Sequence, residues 1–145
     1  MGTEYLADHH AGRRIVLLAL DDQSILAYGT LLWESCYEPF RVAKIPEINN
    51  LVVAEQARRH GVATAMIGEF ERRAPVAGRN TICLGVGPYP GYGPVQRLYV
   101  KLGYQPDANG ITYANQPVPP GRTVPRRSPT LAHASPRANA PGCLL

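Results

Sequence analysis

Seven consecutive residues, Arg58-Arg59-His60-Gly61-Val62-Ala63-Thr64, combine positive charge, a glycine and small residues ahead of an apolar run. That combination suits anion binding. The N-terminus of a helix leaves backbone N–H groups unpaired and carries a partial positive charge, so phosphates bind there readily. Arg58 and Arg59 add full charges, Gly61 lets the backbone approach closely, Ala63 keeps the first turn small, and Thr64 offers a hydroxyl. The chemistry predicted is recognition of a pyrophosphate by main-chain amides. A solvated helix start can carry the same short string, so the flanking elements have to decide.

Those elements are legible. Residues 46–53 make a strand candidate whose end, Leu51-Val52-Val53, is apolar and β-branched. Polar neighbours in its middle break simple alternation, and a β-bulge would absorb the break. From Gly61 to about Ala74 the period becomes helical: Val62, Met66 and Phe70 recur every four residues, charged residues cover the other face, and Pro75 ends the run. Upstream, Arg14 to Leu20 and Ile25 to Trp33 predict an antiparallel pair joined by turn residues Asp21-Asp22-Gln23. A weak helix ending at Gly12 precedes them, and Glu34 to Lys44 has the composition of a loop. Downstream, Thr81 to Gly87 predicts a fourth strand. Pro94 then opens a helix in which Val95, Leu98, Tyr99 and Leu102 form a core-facing stripe, and Gly103 is placed as its C-terminal cap. Tyr104 to Tyr113 predicts two short strands around an Asn109-Gly110 hairpin turn. Gly85-x-Gly87 with Gly91 is not a dinucleotide fingerprint, because Pro88 and Pro90 interrupt the helix that must follow it.

The 145 residues suffice for one core. Residues 1–114 hold equal numbers of basic and acidic side chains, and the net charge of +4 resides in Arg122, Arg126, Arg127 and Arg137. The basic balance therefore describes a tail rather than a nucleic-acid-binding face. Seven of the fourteen prolines fall in that tail, which has no acidic residue and no hydrophobic period. It is expected to be disordered, with residues 1–114 as the folded domain and 115–145 as the tail. Cys36, Cys83 and Cys143 make no metal-binding or redox motif, Cys83 is expected as a small buried hydrophobe, and no metal site is expected. No signal peptide or membrane-length apolar run is visible, which makes the cytoplasm the expected location.

Residues 45–104 resemble a GNAT-superfamily N-acetyltransferase. Arg58-x-x-Gly61-x-Ala63 is similar to that superfamily's Gln/Arg-x-x-Gly-x-Gly/Ala signature. Leu98-Tyr99-Val100-Lys101-Leu102-Gly103-Tyr104 resembles its tyrosine-bearing helix. The two motifs in order, separated by a strand, are more specific than either alone. The resemblance implies an α+β fold, a mixed and mostly antiparallel sheet flanked by helices, with acetyl-CoA as cosubstrate and no metal. It implies that the backbone of Leu51, Val52 and Val53 pairs with the pantetheine arm, and that amides from Arg59, His60, Gly61, Val62, Ala63 and Thr64 hold the pyrophosphate beside Arg58. Tyr99 matches the tyrosine that protonates the departing thiolate, and it also belongs to the core stripe. Glu47 lies at the spacing of a strand glutamate that serves as general base, the alternative being a solvated strand-end carboxylate. Trp33, Tyr37, Tyr89 and Tyr92 are aromatics available to an acceptor pocket.

Relative to the family, the resemblance implies that elements before Arg14 and a final strand are missing, which would expose a sheet edge and favour a homodimer. The expected function is direct transfer of an acetyl group from acetyl-CoA to a primary amine, on a small molecule or peptide, in a ternary complex. Two other readings stand beside it: an inactive, truncated CoA-binding relic, and an interaction protein. No nucleic-acid or membrane partner is expected.

Overall fold

The computed structural model describes residues 2–87, 90–121 and 131–135. The chain opens with helix α1 (Gly2–His10), followed by strands β1 (Arg14–Leu20) and β2 (Ile25–Leu32). These two strands pair antiparallel from Arg14↔Leu32 to Leu20↔Ile25. The turn between them is held by Asp21, whose Oδ1 accepts hydrogen bonds from the Gln23 and Ser24 amides and the Ser24 hydroxyl. The region expected as loop contains a short helix, α2 (Glu38–Val42), with Pro39 in its first turn. Five residues are too few to register a helical period, which explains why composition alone suggested a loop.

Strand β3 (Glu47–Val53) pairs antiparallel with β2 on one side and parallel with β4 (Cys83–Val86) on the other. The expected bulge is present. Tyr28 faces Val52 and Thr30 faces Asn49, so Asn50 and Leu51 together stand opposite Gly29, and Asn50 takes a positive φ of 53°. Thr30 closes the bulge by donating from Oγ1 to the Asn49 carbonyl at 3.0 Å. Helix α3 (Val62–Val76) packs on this part of the sheet and buries Met66, Ile67, Phe70 and Ala74. It runs two residues further than expected, with Pro75 accommodated in its last turn.

Helix α4 (Gly93–Lys101) ends at the expected cap, with Gly103 at φ 88°. Its stripe is narrower than periodicity suggested: Tyr99 is buried and Leu98 and Leu102 are half-buried, while Val95 is exposed. Residues 105–113 form one strand, β5 (Gln105–Tyr113), rather than two strands and a hairpin. Its register shifts between Pro106 and Ile111, and positive φ values at Ala108 and Gly110 absorb the extra residues. The Asn-Gly pair thus serves a bulge. A two-residue strand β6 (Gln116–Pro117) closes the hairpin after it.

The C-terminal segment departs from expectation at Leu131–Ser135, which forms β7 between β4 and β5, antiparallel to both. The sheet order is β1-β2-β3-β4-β7-β5-β6. No final strand was expected, because the Pro- and Arg-rich tail shows no hydrophobic period; Leu-Ala-His-Ala-Ser lacks β-branched residues, and the two strands it bridges supply its ladder. The expectation of disorder for residues 122–130 and 136–145 lies outside the described residues. The architecture is the expected mixed, mostly antiparallel sheet flanked by helices. Its core runs from Leu31, Ile48 and Leu84 on the sheet to Ile67 and Phe70 on α3, and on to Tyr37, Phe40, Tyr99 and Tyr104. Among the described residues no helix is long and apolar enough to cross a membrane.

Helix α1 is fastened to the sheet by polar contacts. The Arg14 guanidinium lies 4.1 Å over the Tyr5 ring, reaches Thr30 Oγ1 at 3.3 Å, and pairs with Asp8 at 3.3 Å. The Val16 amide donates to His9 Nδ1, and Asn50 Nδ2 donates to the Tyr5 hydroxyl. The helix therefore sits next to the β3 bulge.

Candidate active site

The loop from β3 to α3 is built for an anion at its main chain. A short 3-10 turn (Glu55–Ala57) leaves the strand, Arg59 takes a positive φ of 61°, and Gly61 caps α3 in the left-handed region at φ 78°. Only glycine adopts that conformation without strain. The first helical hydrogen bond runs from the Ala65 amide to the Gly61 carbonyl at 2.9 Å. The N–H groups of Val62, Ala63 and Thr64 therefore precede the helical ladder, and no side chain caps them. Arg58, Arg59 and His60 are exposed around this end, and Arg58 Nε donates to the Val53 carbonyl at 3.3 Å. The uncapped amides and the flanking positive charge fit a pyrophosphate.

The strands leading to that loop part company. β3 and β4 pair only at Glu47↔Cys83 and Ile48↔Leu84. Beyond Ile48 the β4-facing edge of β3, including Leu51, Val52 and Val53, has no ladder partner among the described residues. An extended polar arm can add to such an edge as a further strand would. Leu51 packs on the core, Val52 is exposed opposite Tyr28, and Val53 is half-buried.

Glu47 sits where the two strands still touch. It is only 4% exposed, so it is not the solvated strand-end carboxylate of the alternative reading. Burial pushes its carboxyl above the ordinary range, while hydrogen bonds from Ser35 and Asn49 pull the other way. The Ser35 hydroxyl donates to Oε2 at 2.5 Å. Sequence reasoning missed Ser35. The only local signal is its turn to the Tyr37 amide two residues on, and its partner lies twelve residues away.

Tyr99 belongs to the core cluster that also contains Cys83, the cross-strand partner of Glu47. Its ring lies 6.2 Å from that of Tyr104, whose amide donates to the Tyr99 carbonyl at 3.0 Å. Burial alone pushes the phenol up to about 12. Tyr99 is thus a packing residue and, at neutral pH, a protonated hydrogen-bond donor.

The aromatics separate. Tyr37 is buried beside Phe40 with rings 5.0 Å apart, so it belongs to the core rather than to an acceptor surface. Trp33 is half-buried against the same core. Tyr92 is exposed and covers Gly87, where an added Cβ would fall 2.6 Å from its ring. Gln96 Nε2 ties that segment to the Gly87 carbonyl at 2.8 Å. Tyr89 lies outside the described residues. A groove of about 460 Å³ opens between α3 and β1–β2, lined by Leu17, Leu26, His60, Val62 and Met66 among others. Neither Glu47 nor Tyr99 lines it.

The sequence matches the acetyltransferase (GNAT) family model over residues 2–104. The chain belongs to the GNAT acetyltransferases. The match takes in α1, β1 and β2 as well as the region from Ile45 to Tyr104 that carries the two motifs. Solved structures share the fold of this GNAT domain. A ribosomal-protein-alanine N-acetyltransferase from Brucella melitensis superposes with a TM-score of 0.65 at 17% identity, covering 91% of this chain and 74% of the other. A GNAT-family acetyltransferase from Elizabethkingia anophelis, solved with acetyl-CoA bound, gives 0.57 at 18% identity, covering 90% and 78%. An aminoglycoside acetyltransferase from an uncultured soil metagenomic sample gives 0.58 at 26% identity, covering 71% and 66%. No curated protein matches the chain significantly.

Proposed function

We propose that this GNAT domain transfers the acetyl group of acetyl-CoA directly to a primary amine, with Glu47 as the general base and Tyr99 as the hydrogen-bond donor to the leaving sulfur. The observation that carries the reading is the position of Glu47: a buried carboxylate one residue before the last β3–β4 pair, where the sheet opens toward the α3 N-terminus.

Acetyl-CoA supplies a thioester carbonyl as acyl donor. The chain supplies the rest. The amides of Val62, Ala63 and Thr64, with Arg58, Arg59 and His60 around them, hold the pyrophosphate, and the free edge of Leu51–Val53 aligns the arm. An amine is protonated at neutral pH and must lose a proton before it attacks. Burial moves the affinity of Glu47 for a proton toward that task, directly or through one water. Tyr99, kept neutral by burial, offers its O–H to sulfur as negative charge develops there. The phenol is the weaker acid, since a thiol ordinarily titrates near about 8.5. Tyr99 therefore stabilises the thiolate by hydrogen bonding rather than by complete proton transfer.

Amine acceptors are supported by family membership and by two structural neighbours, a ribosomal-protein-alanine N-acetyltransferase and an aminoglycoside acetyltransferase. Thermal-shift titration with acetyl-CoA, combined with thiol release against a panel of small and peptide amines, tests the proposal. Stabilisation with amine-dependent thiol release is expected. Stabilisation without turnover would reduce the protein to a CoA binder, and no response to acetyl-CoA would overturn the reading.

A further inference from the structure

Ser35 lies outside both sequence motifs, yet it is 1% exposed and makes two hydrogen bonds. Its Oγ accepts from the Tyr37 amide at 3.0 Å and lies 2.5 Å from Glu47 Oε2. A hydroxyl carries one donor and two acceptor sites. The Tyr37 N–H occupies an acceptor site and cannot take the hydroxyl proton, so that proton is directed to Glu47. Tyr37 is itself fixed in the core against Phe40. Core packing thus orients the serine, and the serine orients the carboxylate.

Among the described residues no charged group contributes to the titration of Glu47. Its register partners are Leu32 on β2 and Cys83 on β4, and the Cys83 thiol is engaged with the Pro46 carbonyl at 3.3 Å. Asn49 is the second donor to the carboxylate. The Asn49 Oδ1 accepts from Asn50 Nδ2 at 2.6 Å, which leaves its NH2 end for Glu47. A carboxylate at the end of three rotatable single bonds is held from the loop before α2 and from the β3 bulge.

We propose that Ser35 is a positioning residue for acetyl transfer, committing Oε2 of Glu47 to the protein so that the rotamer is fixed for proton transfer. The inference rests on the assignment of Glu47 as base. It extends the site to a loop that neither motif covers, because Ser35 and Tyr37 set the geometry of a β3 carboxylate. Hydrogen bonding to the ionised form favours that form, so Ser35 also holds the titration of Glu47 below where burial alone would put it.

The experiment compares wild type with Ser35→Ala, the near-isosteric Ser35→Cys, and Glu47→Gln. In ¹³C-glutamate-labelled protein the Glu47 carboxyl signal is the one missing from Glu47→Gln, and it is followed by NMR against pH. Its midpoint is expected to move to higher pH in both Ser35 variants. Thiol release from acetyl-CoA with the fastest amine of the panel is expected to fall roughly tenfold in kcat/KM at neutral pH, as for loss of one hydrogen bond to a charged group. Its acidic limb should move up with the NMR midpoint, and acetyl-CoA affinity should stay within about twofold. Ser35→Cys guards against a folding defect, since it keeps the volume and weakens only the donor. A Glu47 midpoint that stays put or falls in both variants would overturn the role of Ser35. Unchanged turnover in Glu47→Gln would instead remove Glu47 as base, whatever the Ser35 variants do.

Discussion

Ile48 of β3 and Leu84 of β4 are the last residues bridged across the parallel strand pair, and the loop that caps α3 begins six residues after Ile48. The unpaired strand edge and the uncapped helix start therefore follow one another along a single run of chain, joined by one loop. Acetyl-CoA should occupy both together. Hydrogen–deuterium exchange with and without acetyl-CoA should show slowed exchange in the segments containing Leu51–Val53 and Val62–Thr64, with α1 unchanged. Protection of the helix start alone would show that the phosphate end binds without the arm entering the sheet.

Gly61 makes the second half of that run. Its φ of 78° costs a non-glycine residue about 1–2 kcal/mol, more when β-branched, although an added Cβ would meet nothing within 4 Å. Gly61→Val should therefore act through the backbone, tilting the Val62–Thr64 amides rather than creating a clash. Acetyl-CoA affinity by calorimetry is expected to drop about tenfold or more, with the melting temperature lowered by several degrees. Full affinity in this variant would argue that the loop does not hold the pyrophosphate.

Much of this was legible from residues because it is local. The bulge followed from polar neighbours at Asn49 and Asn50 in an apolar strand, and the two helix boundaries from Gly61 and Gly103, all decided within a few residues. What escaped was non-local or short. α2 is less than two turns long, and β7 has weak strand propensity and exists through its neighbours β4 and β5. The Ser35–Glu47 contact needs two segments to meet across the fold. Tyr37, in a segment with the composition of a loop, was expected among aromatics available to an acceptor pocket, yet the turn at Ser35 directs it inward.

Tyr99 tests the division between packing and chemistry. Phenylalanine retains the ring and most of the buried area, so Tyr99→Phe should fold with little change in stability and bind acetyl-CoA normally. Loss of one hydrogen bond to a developing thiolate should lower kcat by about ten- to a hundredfold. With the phenol pushed up to about 12, its ionisation should contribute no basic limb below about pH 11. The raised pKa means its stabilising contribution is complete below pH 10 and is lost as pH rises through about 12. Wild type should therefore lose stability in that window more steeply than Tyr99→Phe.

Gly29 is the close-packing point beneath α3. A Cβ there would fall 3.0 Å from Leu51 Cδ1, 3.3 Å from Phe70 Cε2 and 3.4 Å from Met66 Cε. Phe70 is fully buried and cannot yield freely, while Leu51 borders the proposed arm-binding edge. Gly29→Ala should cost about 1–3 kcal/mol by urea unfolding and weaken acetyl-CoA binding as Leu51 is displaced. Stability loss with unchanged affinity would separate the core from the cleft.

Glu47 joins stability to function with opposite signs. Its carboxyl is raised above the ordinary value by burial, so the folded state holds that proton more tightly than the unfolded chain. The contribution to stability is then fully present below the unfolded value of 4.5 and is lost as pH rises through the higher folded value. Glu47→Gln keeps a neutral side chain of the same shape at every pH. Urea unfolding of both proteins should show the variant gaining on wild type between pH 4 and pH 8, while thiol release collapses throughout. A stability difference that does not change with pH would mean that Glu47 titrates alike in the folded and unfolded states. Burial would then not be the force that prepares it as a base.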